Sequence, residues 1–455
     1  MGLLKAYVVP HPPLIVKEVG KGNEKEVIDT IESYEEIAKE IGELNPDTII
    51  ISSPHAKTYN DYFYYSTGNT IEGSFASFGA PNVSFIEELD NELIDEIERI
   101  SKEENFPAGR EKETALDHGS MVPLYFIRKY LPKCKIVVLG FSFLPLINNY
   151  KMGMIIKKAI DNLDKKIVYI ASGDLSHKLQ DYGPYGFIEE GPLYDKRIMD
   201  VLANNRFNEL LEFTDSFLEK AAECGHRSFT IMAGLFDGLN IETKYYSHED
   251  VTGVGYGILS FKPLDNNSDR LFYKKYLDRE KARITSLDEY VNLAKKAINE
   301  YIANKKVIEI PYNTSKELLE NKSGVFVSIH KFGSLRGCIG TILPITDNIA
   351  TEIIRNAIAA ATEDNRFVPV TEKELDYLEI NVDVLTTPEK ITSKEELDPK
   401  KYGVIVSSGY KRGLLLPDLE GIDSINKQIE IAKRKGNISD NEEYTLERFE
   451  VIRHK

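Results

Sequence analysis

Short apolar bursts alternate with longer helical patterns over the first half of the chain. Residues 4–9, 48–52, 135–139 and 166–171 are strand-length runs with few polar interruptions. Runs of this kind suit strands covered on both faces. Between them, 24–44, 85–101 and 120–131 carry helical patterns. In the last of these Ser120 is placed to cap, and Pro123 falls in the first turn, where proline is tolerated. Strands alternating with helices predict a layered α/β domain.

A second pattern begins near residue 286. Ser286-Leu287-Asp288-Glu289 fits a capping box. Tyr290, Leu293, Ala294, Ala297, Ile298 and Tyr301 then recur at helical spacing. Residues 325–330 and 335–341 read as a hairpin around Lys331-Phe332-Gly333-Ser334. Helices are expected at 347–362 and 422–435, the latter stopped by Gly436, with strands near 377–385 and 402–407. This is a smaller α+β domain. The stretch 263–274 is polar at its centre and lacks periodicity. The expected division is a first domain at 1–262, a linker at 263–271 and a second domain at 272–455; 455 residues are too many for one ordinary core.

Charge and cysteine content narrow the function. A net charge of −16 disfavours nucleic acid as the main partner. No apolar run approaches the roughly 18 residues that span a bilayer, so no membrane role is expected. The first ten residues run straight into Pro10 and His11, which reads as a first strand and not as a signal peptide. Cys134, Cys224 and Cys338 are too few and too scattered for a disulfide framework, so a cytoplasmic location is expected.

Six histidines (His11, His55, His118, His177, His226 and His248) precede residue 263, and only His330 and His454 follow. His11, His55 and His177 each lie just past a predicted strand. In α/β sheets, ligands collect outside the carboxyl ends of the strands. The prolines beside His11 and His55 stiffen the backbone that aims each ring. One such histidine is usually a loop residue, whereas three in one domain favour a shared site. Two imidazoles and a carboxylate hold Fe(II) with open positions. Zinc accepts the same ligands, so spacing supports a metal without choosing it. His248 reads as an exposed loop residue. Gly253-Val254-Gly255-Tyr256-Gly257 reads as a glycine-permissive last strand, since it lacks the dinucleotide spacing.

Four segments carry a resemblance: His11-Pro12-Pro13, Ser53-Pro54-His55, Leu116-Asp117-His118-Gly119-Ser120-Met121-Val122-Pro123-Leu124 and Ala171-Ser172-Gly173-Asp174-Leu175-Ser176-His177. Together they resemble the LigB-type class III extradiol dioxygenases, with Memo-like proteins as relatives. The resemblance implies that His11 and His55 bind the metal. It implies that His177 is the catalytic acid/base, suited by an imidazole pKa near operating pH. It implies that His118 orients substrate or dioxygen. It also implies a carboxylate near 223, so Glu223 is the expected third ligand of Fe(II). Memo-like relatives carry Cys-Gly-Arg here, which makes Cys224 the rival and would favour Cu or Zn. His226 is either a supporting residue or simply a helix N-terminal one. Asp174 departs from the glycine more usual in ring-cleaving enzymes, which puts cleavage of a simple catechol in doubt while leaving a phenolic small molecule as the expected substrate class.

In the second domain, alternation puts Arg336, Cys338 and Gly340 of Leu335-Arg336-Gly337-Cys338-Ile339-Gly340 on one face of a strand. A nearby guanidinium would activate the thiol, whereas the plainer reading is a small packed cysteine. With residues 360–370 and Gly413-Leu414-Leu415-Leu416-Pro417, this segment resembles the AMMECR-type family. A Memo/LigB-like domain, an AMMECR-type domain and a radical SAM protein form the AmmeMemoRadiSam system, so the resemblance implies a radical SAM partner. The expected function is an Fe(II)-dependent oxygenase-type enzyme domain acting on a small molecule. The alternative is a metal-binding interaction protein without turnover.

Overall fold

The four continuous apolar runs form the middle of a single mixed sheet. The computed structural model describes residues 2–111, 115–283, 288–419, 421–439 and 441–455, and the chain divides into units Met1–Tyr276 and Leu277–Lys455. In the first unit the strands are β1 (Gly2–Val9), β2 (Thr48–Ser52), β3 (Phe63–Ser66), β4 (Thr70–Phe75), β5 (Ala80–Glu88), β6 (Ala108–Glu111), β7 (Lys135–Leu139), β8 (Lys166–Ser172), β9 (Leu239–Glu249) and β10 (Tyr256–Asn266). The main sheet has the order β6-β3-β7-β2-β8-β1-β10-β9, while β4 and β5 form a separate hairpin. Strands β7, β2, β8 and β1 run parallel, so their carboxyl ends open on one side. All five residues of β2 are buried, as an apolar run covered on both faces requires.

Helices α1 (Lys17–Gly20), α2 (Ile28–Leu44), α3 (Asn91–Glu103), α4 (His118–Ile127), α5 (Leu146–Asn162), α6 (Glu190–Ala203), α7 (Asp215–Ala221) and α8 (His226–Gly234) complete the α/β layers. The sequence pattern misplaced two of them. Residues 85–88 belong to β5, and α3 starts only after Asp90, whose side chain accepts from the Leu93 N–H at 3.3 Å. Helix α4 is capped by Asp117, not by Ser120. The Asp117 carboxylate accepts the Ser120 N–H at 3.1 Å, which moves Pro123 to the sixth helical position. The polar stretch 263–271 is also structured. Strand β10 continues through Asn266, and a short turn at Ser268–Arg270 leads into α9 (Phe272–Arg283), within which the two units divide.

The second unit is α+β. It comprises α10 (Glu289–Asn304), α11 (Lys316–Glu320), β11 (Val325–Lys331), β12 (Ser334–Gly340), α12 (Ile349–Thr362), β13 (Leu378–Leu385), β14 (Glu389–Ile391), β15 (Gly403–Ser408), β16 (Lys411–Leu415), α13 (Ile425–Lys435), β17 (Thr445–Phe449) and β18 (Val451–His454). Its sheets have the orders β12-β11-β13-β18 and β14-β17-β15-β16. The β11–β12 hairpin turns at Phe332 and Gly333, both at positive φ. Asp288 caps α10 through the Tyr290 and Val291 N–H groups; Ser286 and Leu287 of the expected capping box lie outside the described residues. Apolar faces of α10 and α12 cover β11 and β13. Among the described residues no helix is long and apolar enough to cross a membrane.

Candidate metal centre

Three strands end at the same place. His11 follows β1, His55 follows β2, and the turn Gly173–His177 follows β8. The Nε2 atoms of His11 and His55 are 2.9 Å apart. The His118 ring, on the first residue of α4, lies 3.9 Å from the His55 ring and 5.4 Å from that of His11, centroid to centroid. Donor atoms of His11, His55 and His118 all fall within 4.8 Å of one another, as do those of His11, Asp174 and Cys224. Burial lowers the His11 pKa to about 3, and burial together with His55 lowers that of His118 to about 4. Both rings are therefore neutral near pH 7, with lone pairs available for a cation.

Cys224 reaches this cluster because two loops touch through glycine. A β-carbon on Gly173 would sit 2.1 Å from the Gly225 Cα, so neither chain tolerates a side chain at the crossing. The Asp174 carbonyl then accepts from the Gly225 N–H at 3.1 Å, and the Asp174 N–H lies 3.2 Å from the Cys224 sulfur. The sulfur is 3.6 Å from His11 Nε2. Burial, Asp174 and Glu223 push the thiol well above its usual pKa. Without a cation it stays protonated.

Glu223, the expected third ligand, belongs to neither donor group. Its carboxylate accepts the His226 N–H at 2.6 Å, and burial raises its pKa to about 7. The left-handed Ala222 (φ 51°) sets the turn that carries Glu223 and Cys224. His226 itself is buried at the start of α8 with Nε2 2.9 Å from the Leu210 carbonyl, away from both donor groups.

Asp174 links the cluster to His177. One carboxylate oxygen accepts the His11 N–H at 2.7 Å; the other lies 4.0 Å from His11 Nε2 and 3.8 Å from His177 Nε2. Burial opposes its ionisation, but the two imidazoles and the N–H outweigh it and hold the carboxyl below its ordinary pKa. The His177 ring stacks on Tyr185 at 5.2 Å, and Phe78 lies 5.3 Å from His118. Thus His177 stands beside the donors without belonging to either group.

The turn bearing Asp174 and His177 is clamped from behind. Leu175 and Ser176 exchange backbone hydrogen bonds with Gly255, each 2.8 Å, and Leu179 bonds to Gly253. A β-carbon on Gly255 would meet Asp195 at 2.0 Å. Buried Asp195 accepts the Ser176 N–H at 2.8 Å and lies 3.0 Å from His248 Nε2. The glycine run 253–257 is therefore the bed of the site turn. His248 is exposed, as expected, but it lies on β9 and pairs with Asp195 instead of sitting in a loop. Nothing in the sequence pattern points to Asp195, an acid inside an ordinary helix.

In the second unit, Arg336 and Cys338 share a strand face, but their partners separate them. Arg336 makes a two-pronged contact with Glu374 (3.0 and 3.2 Å) and also donates to the Val368 and Pro369 carbonyls. Cys338 accepts from the Ser328 hydroxyl at 3.3 Å, and its N–H donates to Asp364, which itself binds Arg366. Arg336 is thus engaged by Glu374, while the Arg366 guanidinium donates to the Cys338 carbonyl at 3.4 Å.

Comparison with known proteins agrees with this architecture. The family model described as the catalytic LigB subunit of aromatic ring-opening dioxygenase matches residues 5–259, and the AMMECR1 model matches 291–454. A protein of Clostridium acetobutylicum is 42% identical over 467 residues, covering 100% of both chains. A Thermotoga maritima protein is 50% identical over 168 residues, covering 36% of this chain and 97% of its own. Among solved structures, an uncharacterized protein of Pyrococcus horikoshii is 33% identical, with a TM-score of 0.34, over 36% of this chain and 88% of that one. An uncharacterized protein of Escherichia coli K12 is 13% identical, with a TM-score of 0.41, over 56% of this chain and 99% of that one.

Proposed function

The chain belongs to the LigB family of aromatic ring-opening dioxygenase subunits, here fused to an AMMECR1 domain, and from that premise we propose that its first unit is a non-heme, Fe(II)-dependent oxygenase-type enzyme. The observation that carries this reading is the convergence of His11 and His55, 2.9 Å apart, with the Cys224 thiol 3.6 Å from His11, at the carboxyl ends of parallel strands. The separation suits two neighbouring ligands of one ion, since metal–imidazole bonds are about 2.0–2.1 Å. The donor set therefore fits a metal. His11, common to both donor groups, would hold it, with Cys224 and Asp174 in one group and His55 and His118 in the other.

When bound, such an ion supplies redox capacity and open positions for dioxygen and substrate. The chain's own residues do the rest. Asp174 lies against His177 Nε2 and orients the ring, which takes a proton from a substrate hydroxyl and returns it later. His118, packed between His55 and Phe78, orients the substrate. The rings of Phe78 and Tyr185 form apolar walls suited to a flat, phenolic small molecule. The fusion supports a joint pathway with a radical SAM partner.

A second reading has its own support. A thiol in the donor set, where ring-cleaving relatives are expected to use a carboxylate, favours zinc or Cu(I) bound without turnover. Anaerobic loading followed by oxygen uptake with catechols separates the two. The enzyme reading expects one ion per chain, lost in His11→Ala and Cys224→Ser, retained in Glu223→Gln, and oxygen uptake that depends on the phenol. Full occupancy in His11→Ala and His55→Ala would refute the site. A stoichiometric ion with no oxygen uptake would leave the binding role.

A further inference from the structure

Helix α4 contains Pro123 at its sixth position. Proline has no N–H to return to the carbonyl four residues back, which here is that of Gly119. The Ser172 hydroxyl donates to this carbonyl at 2.6 Å. A hydroxyl has one proton to give. At its other contact, 2.9 Å from His11 Nδ1, the Ser172 oxygen must therefore accept. His11 then carries its proton on Nδ1, and the Nε2 lone pair faces His55 and Cys224. Ser172 is fully buried and His11 nearly so, which keeps water from substituting for either contact. Gly119 is held in place, since a β-carbon there would meet the Ser53 hydroxyl oxygen at 2.3 Å.

We infer that Pro123, Gly119 and Ser172 form a positioning relay that fixes His11 in the tautomer whose Nε2 binds a metal ion. This rests on the metal-centre reading above. The opposite tautomer would turn the Ser172 proton toward His11 and leave the Gly119 carbonyl unpaired in the interior, which buried carbonyls avoid. An N–H at position 123 would offer that carbonyl a helical partner and loosen its hold on Ser172. None of the three residues need touch the ion, so they are positioning residues. Partners of this kind orient metal-binding histidines generally.

The test uses the full metal-free chain with 15N-labelled histidine, and Zn(II) as the probe ion. Wild type should show His11 as the Nδ1–H tautomer. Ser172→Ala should give mixed tautomers and bind Zn(II) about 10–100-fold more weakly. Ser172→Thr, which keeps the hydroxyl, should restore both. Pro123→Ala should fall between, with a melting temperature no lower than wild type, a combination that simple loss of structure would not produce. An Nε2–H tautomer in wild type, or unchanged tautomer and affinity in Ser172→Ala, would overturn the relay. The Nδ1–H tautomer with no Zn(II) binding in wild type would overturn the metal reading and uphold the hydrogen-bond assignment.

Discussion

Gly173 and Gly225 cross so closely that a β-carbon on the first would lie 2.1 Å from the Cα of the second. This contact sets the Cys224 sulfur beside His11. Gly173→Ala is expected to force the loops apart and destabilise the first unit by about 1–3 kcal/mol, the usual cost of overpacking. Metal affinity should fall with it. Chemical denaturation and metal titration of the same variant check both; an unchanged affinity would mean that Cys224 is not a ligand.

His177 is expected to act on substrate and not on the ion. His177→Phe should keep full metal occupancy and reduce turnover by about 10²–10⁴-fold, the range for loss of a general acid/base. Asp174→Asn should reduce turnover less if it serves only to orient His177. Loss of the ion from His177→Phe would count against the assignment.

Thiol labelling distinguishes the guanidinium partners in the second unit. Burial raises the Cys134 pKa to about 11, so Cys338 is expected to react with iodoacetamide faster than Cys134 near neutral pH. Arg336→Met should leave the Cys338 rate within about twofold, because Arg336 is engaged by Glu374. A strong slowing in Arg336→Met would restore the direct activation that strand alternation suggests.

Acid should loosen the same contact. Burial works against ionisation of Glu374, but Arg336 and Lys331 outweigh it and bring its pKa down to about 2. A carboxyl depressed on folding stabilises fully above its unfolded pKa near 4.5, and that contribution disappears as pH falls toward 2. It is on the order of 2 kcal/mol after allowance for partial solvent screening. Denaturation midpoints of wild type and Glu374→Gln should differ at pH 7 and converge by about pH 2. A constant difference across that window would assign the stabilisation to packing.

Strand ends were legible because buried parallel strands cannot hide polar residues. The runs at 48–52 and 135–139 coincide with β2 and β7, and the histidines after β1 and β2 converge. Which of Glu223 and Cys224 faces His11 was not legible. It turns on which side chain a tight turn aims inward, and that depends on left-handed Ala222 and on the His226 N–H claiming the carboxylate. By residue type Ser120 is as good a cap as Asp117, which would place Pro123 in the first turn, and only the hydrogen bond decides. The alternation in 80–88, with Ile86 facing outward at 71% exposure, was lost in the helical pattern that follows it.

Strand β1 comes first in the sequence, yet its neighbours are β8 and β10. On the ribosome one of its edges waits for β8 and the other has no partner until residues near 260 have emerged, a wait of roughly ten seconds or more at about 5–20 residues per second. The sheet therefore closes by a contact of long sequence separation, which is slow to form. His11 hangs from the end of that strand, so its final position waits for the same late closure. Metal capture by a nascent chain would have to wait for the same closure, and an unpaired β1 edge in the meantime is a natural site for chaperone engagement or misassociation.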